Sequence, residues 1–392
     1  MVDKMMRVSG RALDGTAKAI KTDNEGALIV KDYSSSEKSY IGDFVEPYDP
    51  GYVGNVAISG LEVFGKINSG SFAIADLKSG RACVYVLRGN LTLQKFGKTL
   101  DDETPIWVYS GFSGTDAKMI AVDKNDDVII SGENVMGHRI IEKISGQTGL
   151  LLWKNVYNSS NYLPATDIAV DKDGYVYSVG PAGSNSTPYE KLLIKYNGSD
   201  GTVVWSHKYT TVPGYYTGIL IDKNGYIYTS NESEYGFSIL KLDQVGTNVV
   251  DPPTIMWTYT LTETNALLSA TKKMALDKDG YLYVLAIDFG VLKLDQSLAG
   301  ETTPPTVVWI KKYGKISGEP LLDTSGNLYT SVGKLDKKGE DAWGGESPIA
   351  FHDLRDGYIF GVQEVLGYLP EINYNVLKIG LDLQLKGLKG VR

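Results

Sequence analysis

One heptapeptide returns along the chain in constant phase with two other markers, and repetition of that kind leaves few folds open. It reads Asp171-Lys172-Asp173-Gly174-Tyr175-Val176-Tyr177, Asp222-Lys223-Asn224-Gly225-Tyr226-Ile227-Tyr228, Asp277-Lys278-Asp279-Gly280-Tyr281-Leu282-Tyr283 and Asp323-Thr324-Ser325-Gly326-Asn327-Leu328-Tyr329. Degenerate copies start at Asp76, Asp123 and Asp353. A lysine followed by an apolar or aromatic residue trails each copy: Lys95-Phe96, Lys143-Ile144, Lys195-Tyr196, Lys241-Leu242, Lys293-Leu294, Lys334-Leu335 and Lys378-Ile379. Trp107, Trp153, Trp205, Trp257 and Trp309 follow at intervals of 46, 52, 52 and 52, with Trp343 in a shortened repeat.

Each repeat reads as four strands. In one of them the strands are 165–170, 175–179, 191–196 and 202–209, with a tight turn at Asp171 to Gly174, where Asp, Asn and Gly tolerate left-handed backbone angles. The second strands mix Tyr, Val and Ile with no polar face, the pattern of strands covered on both sides. The prediction is an all-β, seven-bladed β-propeller of four-stranded antiparallel blades. A sandwich has no reason to repeat residues in phase, and an open solenoid needs caps for which the C-terminus leaves little room. Strands from both ends, 55–64 and 381–385, are expected to join in the closing blade.

Residues 1–45 form an N-terminal arm and linker, and 46–392 the propeller. Within the arm, Ala19-Ile20-Lys21 and Ala27-Leu28-Ile29-Val30 predict a short β-hairpin around Asp23-Asn24-Glu25-Gly26. An isolated hairpin is marginal in water, so the arm is expected to be ordered by docking on another protein or on its own propeller. Tyr33 to Lys38 reads as a flexible linker.

The net charge of −8 and the lack of a basic stripe exclude a nucleic-acid binder; Lys386, Lys389 and Arg392 form a solvated tail. No apolar run reaches transmembrane length and no export signal is present, so no membrane insertion is expected. Cys83, the one cysteine, sits in the apolar run Ala82-Cys83-Val84-Tyr85 and reads as a core residue.

The segments Gly146-Gln147-Thr148-Gly149-Leu150-Leu151-Leu152-Trp153 and Ser199-Asp200-Gly201-Thr202-Val203-Val204-Trp205 resemble the end of the repeat in quinoprotein-type propellers. The resemblance spans roughly 71–379 and implies a tryptophan on the outer strand, packed between adjacent blades. In that family the quinone lies against a disulfide of adjacent cysteines with calcium nearby. One cysteine cannot supply that site, so no cofactor is expected. Residues Arg7 to Val30 are similar to the leader found on tailed-phage tail, fibre and head-decoration proteins.

The Asp-x-Asp/Asn-Gly turns invite comparison with calcium loops, but no bidentate acid follows, and the turn reads as structural. His138, His207 and His352 fall at different phases. Asp101-Asp102-Glu103 reads as a solvated loop. Three tyrosine-bearing segments, Asn158 to Tyr162, Pro213 to Tyr216 and Asn231 to Gly236, suit glycan or protein surfaces. No residue is assigned a catalytic, cofactor-binding or metal-ligating role, and the ligand-binding residues stay open. The expectation is a non-enzymatic phage virion structural protein, assembled in the host cytoplasm. The arm joins it to other virion proteins (tail, neck or capsid), and the propeller is displayed for adhesion to host cell-wall glycan or protein. The alternatives are a glycan-degrading enzyme with acids at the channel mouth, or a soluble protein-binding scaffold.

Overall fold

A computed structural model describes residues 20–22, 28–30, 61–68, 74–79, 83–89, 91–97, 105–157, 165–182, 191–209, 215–233, 236–243, 253–262, 272–286, 289–300, 303–313, 316, 319–323, 325–330, 333–344, 349–355, 358–365 and 373–380. They form seven four-stranded antiparallel sheets and one two-stranded pair. Strands are lettered A to D from the axis outward. Blade 1 holds Ile74–Ser79, Cys83–Arg88, Leu93–Gly97 and Trp107–Tyr109; blade 2, Asp116–Val122, Val128–Glu133, Arg139–Ile144 and Leu151–Tyr157. Blade 3 holds Asp167–Val170, Val176–Pro181, Lys191–Tyr196 and Val203–Tyr209; blade 4, Tyr215–Ile221, Ile227–Ser233, Gly236–Leu242 and Ile255–Thr262. Blade 5 holds Lys272–Leu276, Leu282–Ala286, Gly290–Asp295 and Thr306–Lys312; blade 6, Leu321–Leu322, Leu328–Thr330, Gly333–Leu335 and Asp341–Gly344.

Blade 7 is composite. Ile349–Arg355, Tyr358–Val365 and Asn373–Gly380 supply A to C, and Leu61–Asn68, far upstream, adds the outer strand against Asn373–Gly380. Each A strand touches the A strands of the blades on either side, and the blade 7 A strand touches that of blade 1, so the ring is closed. Among the described residues the closing strand is Leu61–Asn68 and its partner Asn373–Gly380; 55–60 and 381–385 lie outside the described residues. Asp76 and Asp353 sit inside A strands, not in turns, because the degenerate copies lose their phase by a few residues. In the arm, Ile20–Thr22 pairs with Leu28–Val30 in the register Ile20↔Val30, Lys21↔Ile29, Thr22↔Leu28; the predicted linker lies outside the described residues.

The core is cut into layers by the sheets. Successive residues of a strand point to opposite neighbours. Val176 therefore packs with Ile129, Ile141 and Trp153 of blade 2, while Tyr177 packs with Ile219, Ile227 and Leu240 of blade 4. Further layers join blades 1 and 2, 4 and 5, and 5 and 6. Burial on both faces explains strands such as Lys191–Tyr196, in which every residue is inaccessible.

One row of the repeat crosses each sheet. Tyr177 opposes Lys195, which opposes Trp205; Tyr228, Lys241, Trp257 and Tyr283, Lys293, Trp309 repeat this. Directly after the lysine the register with strand D shifts in blades 2 to 6. The shift leaves Leu152, Val204 and Val308 as extra residues, and all three are exposed. A bulge at this place twists the outer edge and interrupts its hydrogen-bonding ladder, which blunts edge-to-edge association.

Candidate functional site at the ring axis

The strongly repeated residues build latches rather than a reaction centre. Asp171 Oδ1 accepts the amides of Asp173 and Tyr175, both at 2.9 Å, and Oδ2 accepts the Tyr177 hydroxyl at 3.0 Å. Asp222, Asp277 and Asp323 do the same, so the carboxylate fixes its own turn and the next strand. Asp323 manages this with Ser325 in place of the second acid or amide, which supports the structural reading of the turn. The strand C lysine then lies over the tyrosine rings: Lys195 Nζ is 4.0 Å from the Tyr175 centroid and 5.2 Å from Tyr177. Lys241 and Lys293 repeat the arrangement. Burial pushes these ammonium groups below their ordinary range and the Tyr177 phenol far above its own.

The tryptophan reaches the next blade. Trp153 Nε1 donates to the Gly198 carbonyl at 3.0 Å, and Trp107 Nε1 to the Gly146 carbonyl at 3.2 Å. The Trp153 ring lies on Gly201, whose φ is +74°; a Cβ there would fall 2.4 Å from Trp153 Cε3. Glycine is required on both counts. The outer-strand tryptophan implied by the quinoprotein-like repeat is thus seen packing between blades.

The axis is where chemistry gathers. Five residues share one offset, four positions before the turn residues Asp123, Asp171, Asp222, Asp277 and Asp323: Met119, Asp167, Gly218 and Lys273 on A strands, and Glu319 just before one. Lys273 Nζ, from blade 5, lies 2.9 Å from Asp167 Oδ1 in blade 3 and 3.5 Å from Glu319 Oε1 at the entrance to blade 6. It also approaches Met119 Sδ at 3.9 Å. Glu319 Oε2 meets Lys78 Nζ of blade 1 at 2.7 Å. Asp167 further accepts the Ile168 amide through Oδ1 and, through Oδ2, the Ile219 amide of blade 4, both at 3.0 Å. Lys78, Glu319, Lys273 and Asp167, from blades 1, 6, 5 and 3, thus form one chain of alternating charge, which Met119 of blade 2 and the Ile219 amide of blade 4 adjoin. Burial pushes the Asp167 carboxyl above its ordinary range, opposed chiefly by Lys273.

Cys83 is buried, as expected. His207 packs edge-on to Tyr209 at 4.5 Å and burial lowers its pKa; the His138 amide donates to Asn134 Oδ1, and the His352 side chain lies outside the described residues. Two residues taken from the tyrosine-bearing segments are corrected: Tyr216 and Asn231 are fully buried strand residues of blade 4, facing blade 3, because the strands run further toward the loops than the Pro213-Gly214 signal suggests. Asn158 to Tyr162, Asp101 to Glu103 and the basic tail lie outside the described residues. Among the described residues no group of three or more His, Cys, Asp and Glu is placed to hold a metal ion, and no helix is long and apolar enough to cross a membrane. The axial network escaped sequence reading because its residue types differ from blade to blade; only their shared offset from the turn aspartate could have flagged them.

No protein-family model matches the chain, and no curated protein matches it. Solved structures do. The β-propeller domain of Cps50 (Swd1) from Myceliophteria thermophila superposes with a TM-score of 0.56 at 12% identity, over 81% of this chain and 99% of that one. The Dos1 propeller gives 0.54 at 12% identity, over 79% of each chain. The quinohemoprotein alcohol dehydrogenase of Comamonas testosteroni gives 0.48 at 14% identity, over 80% of this chain and 54% of the other. At such identities the likeness to the first two establishes a β-propeller fold and leaves the activity to the residues themselves.

Proposed function

We propose that the chain is a non-enzymatic display propeller of a phage virion, joined to the particle by residues 1–45 and offering its loops and rim to a host-surface glycan or protein. The observation that carries the non-enzymatic half is the axial network. Asp167 and Glu319, the acids brought together at the channel, are each clasped by a lysine, and Asp167 also accepts two backbone amides. Carboxylates held this way act as cross-ties. The particle half rests on the leader-like residues Arg7 to Val30 and on the strand pair Ile20–Thr22 with Leu28–Val30, a unit too small to stand alone.

Deleting residues 1–45 tests the attachment. The truncated chain should fold, shown by an unchanged far-UV spectrum and melting transition, yet be missing from purified particles by mass spectrometry. Incorporation at the normal level would refute attachment through the arm. A glycan array and pull-down with host envelope fractions test adhesion separately.

A second reading has one observation in its favour. The raised pKa of Asp167 suits a general acid, so a glycan-degrading propeller would use Asp167 with Glu319. Steady release of reducing ends from host wall polysaccharide, lost in Asp167→Asn and in Glu319→Gln, would establish that reading instead.

A further inference from the structure

Between blades 3 and 4, apart from the axial ion pairs, four polar side chains lie on facing walls in a place closed to solvent. Lys191 opens strand C of blade 3, and its Nζ lies 5.8 Å from the centroid of the Tyr216 ring in blade 4. Tyr216 opposes Asn231 across the blade 4 sheet, and Thr229 lies on the same face as Asn231, two residues earlier. All four residues have zero exposure. The Tyr216 phenol is pushed well up by burial, with the adjacent Thr229 hydroxyl opposing the shift. Even so, Tyr216 Oη, Thr229 Oγ1 and Asn231 Oδ1 have no hydrogen-bond partner among the described residues. Three orphaned buried polar atoms on one wall destabilise a fold unless something satisfies them.

The neighbouring interface shows what the site takes. Arg139 holds in blade 2 the place that Lys191 holds in blade 3, four residues before the strand C lysine. Ser178 holds in blade 3 the place of Thr229, seven residues after the turn aspartate. There the guanidinium crosses the gap: Arg139 Nη1 donates to Ser178 Oγ at 2.9 Å and to the Ser178 carbonyl at 3.1 Å. An ammonium is smaller and less far-reaching than a guanidinium, so the same gap is left with room beside the hydroxyls. We propose that a single buried water molecule occupies this place, bridging Lys191 to Thr229, Tyr216 and Asn231 and standing in for the missing part of the guanidinium.

The donor set selects water. Asn231 Nδ2 donates to Ser238 Oγ at 3.1 Å, which turns Oδ1 toward the gap as an acceptor. A molecule there must donate to Asn231 and to one hydroxyl while accepting from the Lys191 ammonium and the other hydroxyl. Water offers two donors and two acceptors, the complement required. A halide cannot donate, and faces the amide oxygen lone pairs.

A high-resolution crystal structure of the full chain tests the assignment, with a second crystal soaked in bromide. The expected result is one density peak within hydrogen-bond distance of Tyr216 Oη, Thr229 Oγ1 and Asn231 Oδ1, without bromide anomalous signal. In the Lys191→Arg variant that peak should vanish and a guanidinium nitrogen should approach Thr229 Oγ1, with the unfolding midpoint held or raised. A dry gap, a loop side chain making the bonds, or an anomalous peak would each overturn the proposal. Should Lys191→Arg fail to fold, Thr229→Val, which keeps the shape and deletes a hydroxyl, should lower the occupancy of the peak; undiminished occupancy would count against the bridge.

Discussion

Blades 2 and 3 are neighbours on one plan, yet they accommodate the same buried cation with opposite chemistry. In blade 3 the strand C lysine, Lys195, is held over the faces of Tyr175 and Tyr177. In blade 2 the corresponding positions carry Asp127 and Ile129, and the aromatic faces are gone. There Lys143 Nζ turns to carboxylates, 2.8 Å from Asp123 Oδ2 and 3.4 Å from Asp127 Oδ2, while donating to the Gly198 carbonyl of blade 3 at 3.1 Å. Lys95 makes the corresponding bond to the Gly146 carbonyl, and Lys293 one to the Lys337 carbonyl. What persists is a cation that can reach the next blade; the groups that neutralise it are interchangeable.

The difference can be broken by removing the cation from each blade. Lys143→Met leaves Asp123, with 2% of its side chain exposed, facing Asp127 with no ammonium between them. Stranding a buried charge of this kind costs about 3–5 kcal/mol. Lys195→Met forfeits the cation–π attraction and the ammonium's attraction to Asp171 and Asp173, but strands no carboxylate pair, a loss of about 1–2 kcal/mol. Denaturant titration of both variants should show the blade 2 substitution to be the more damaging. Equal losses would mean that the groups neutralising the cation do not set its contribution to stability.

Where the two blades agree, they share the aromatic clasp, and it can be probed with two alanines. At Gly201 a Cβ meets Trp153 at 2.4 Å and φ is +74°; at Gly280, in a turn of blade 5, φ is +89° and nothing lies within 4 Å. The second substitution carries the left-handed backbone penalty alone, about 1–2 kcal/mol. The first adds displacement of a buried tryptophan, for a total of roughly 2–4 kcal/mol. The ordering in melting temperature is the measurement. Equal shifts would show that the Trp153 ring yields without loss.

These latches were legible in the sequence because they recur. Asp171, Tyr177, Lys195 and Trp205 stand in phase with their counterparts since every interface must be closed in the same way. The axial network was not legible: Asp167 and Lys273 are 106 positions apart, and their pairing exists only because closure of the ring brings blades 3 and 5 to one axis. Tyr216 and Asn231 were misread as surface groups because polarity beside a Pro-Gly turn resembles a loop, whereas Tyr216 is covered by Tyr177, Val179, Leu193 and Tyr209 of the preceding blade. Leu61–Asn68 was recognisable as a closing strand only in outline, since its register is set by a partner more than 300 residues downstream.

A pH-dependent effect separates Arg139 from Lys191, two cations at one repeat position. Burial pulls the Arg139 guanidinium down to about 10, so it stays charged through the neutral range; burial pulls the Lys191 ammonium from 10.5 down to about 8. A base with a depressed folded-state pKa is charged in both states below pH 8, where the fold bears the full burial penalty. Between about pH 8 and 10.5 the unfolded chain keeps the proton that the folded chain has lost, so this group makes stability rise with pH. The ceiling is roughly 3 kcal/mol, and solvent screening reduces it. Urea titrations at pH 7 and pH 9.5 should therefore show the native chain gaining on Lys191→Met as the pH rises, measured as the difference between the two so that the tyrosines cancel. A difference that stays flat across this window would mean that the Lys191 ammonium keeps its ordinary affinity for protons inside the fold, held charged by partners as effective as those of Lys143.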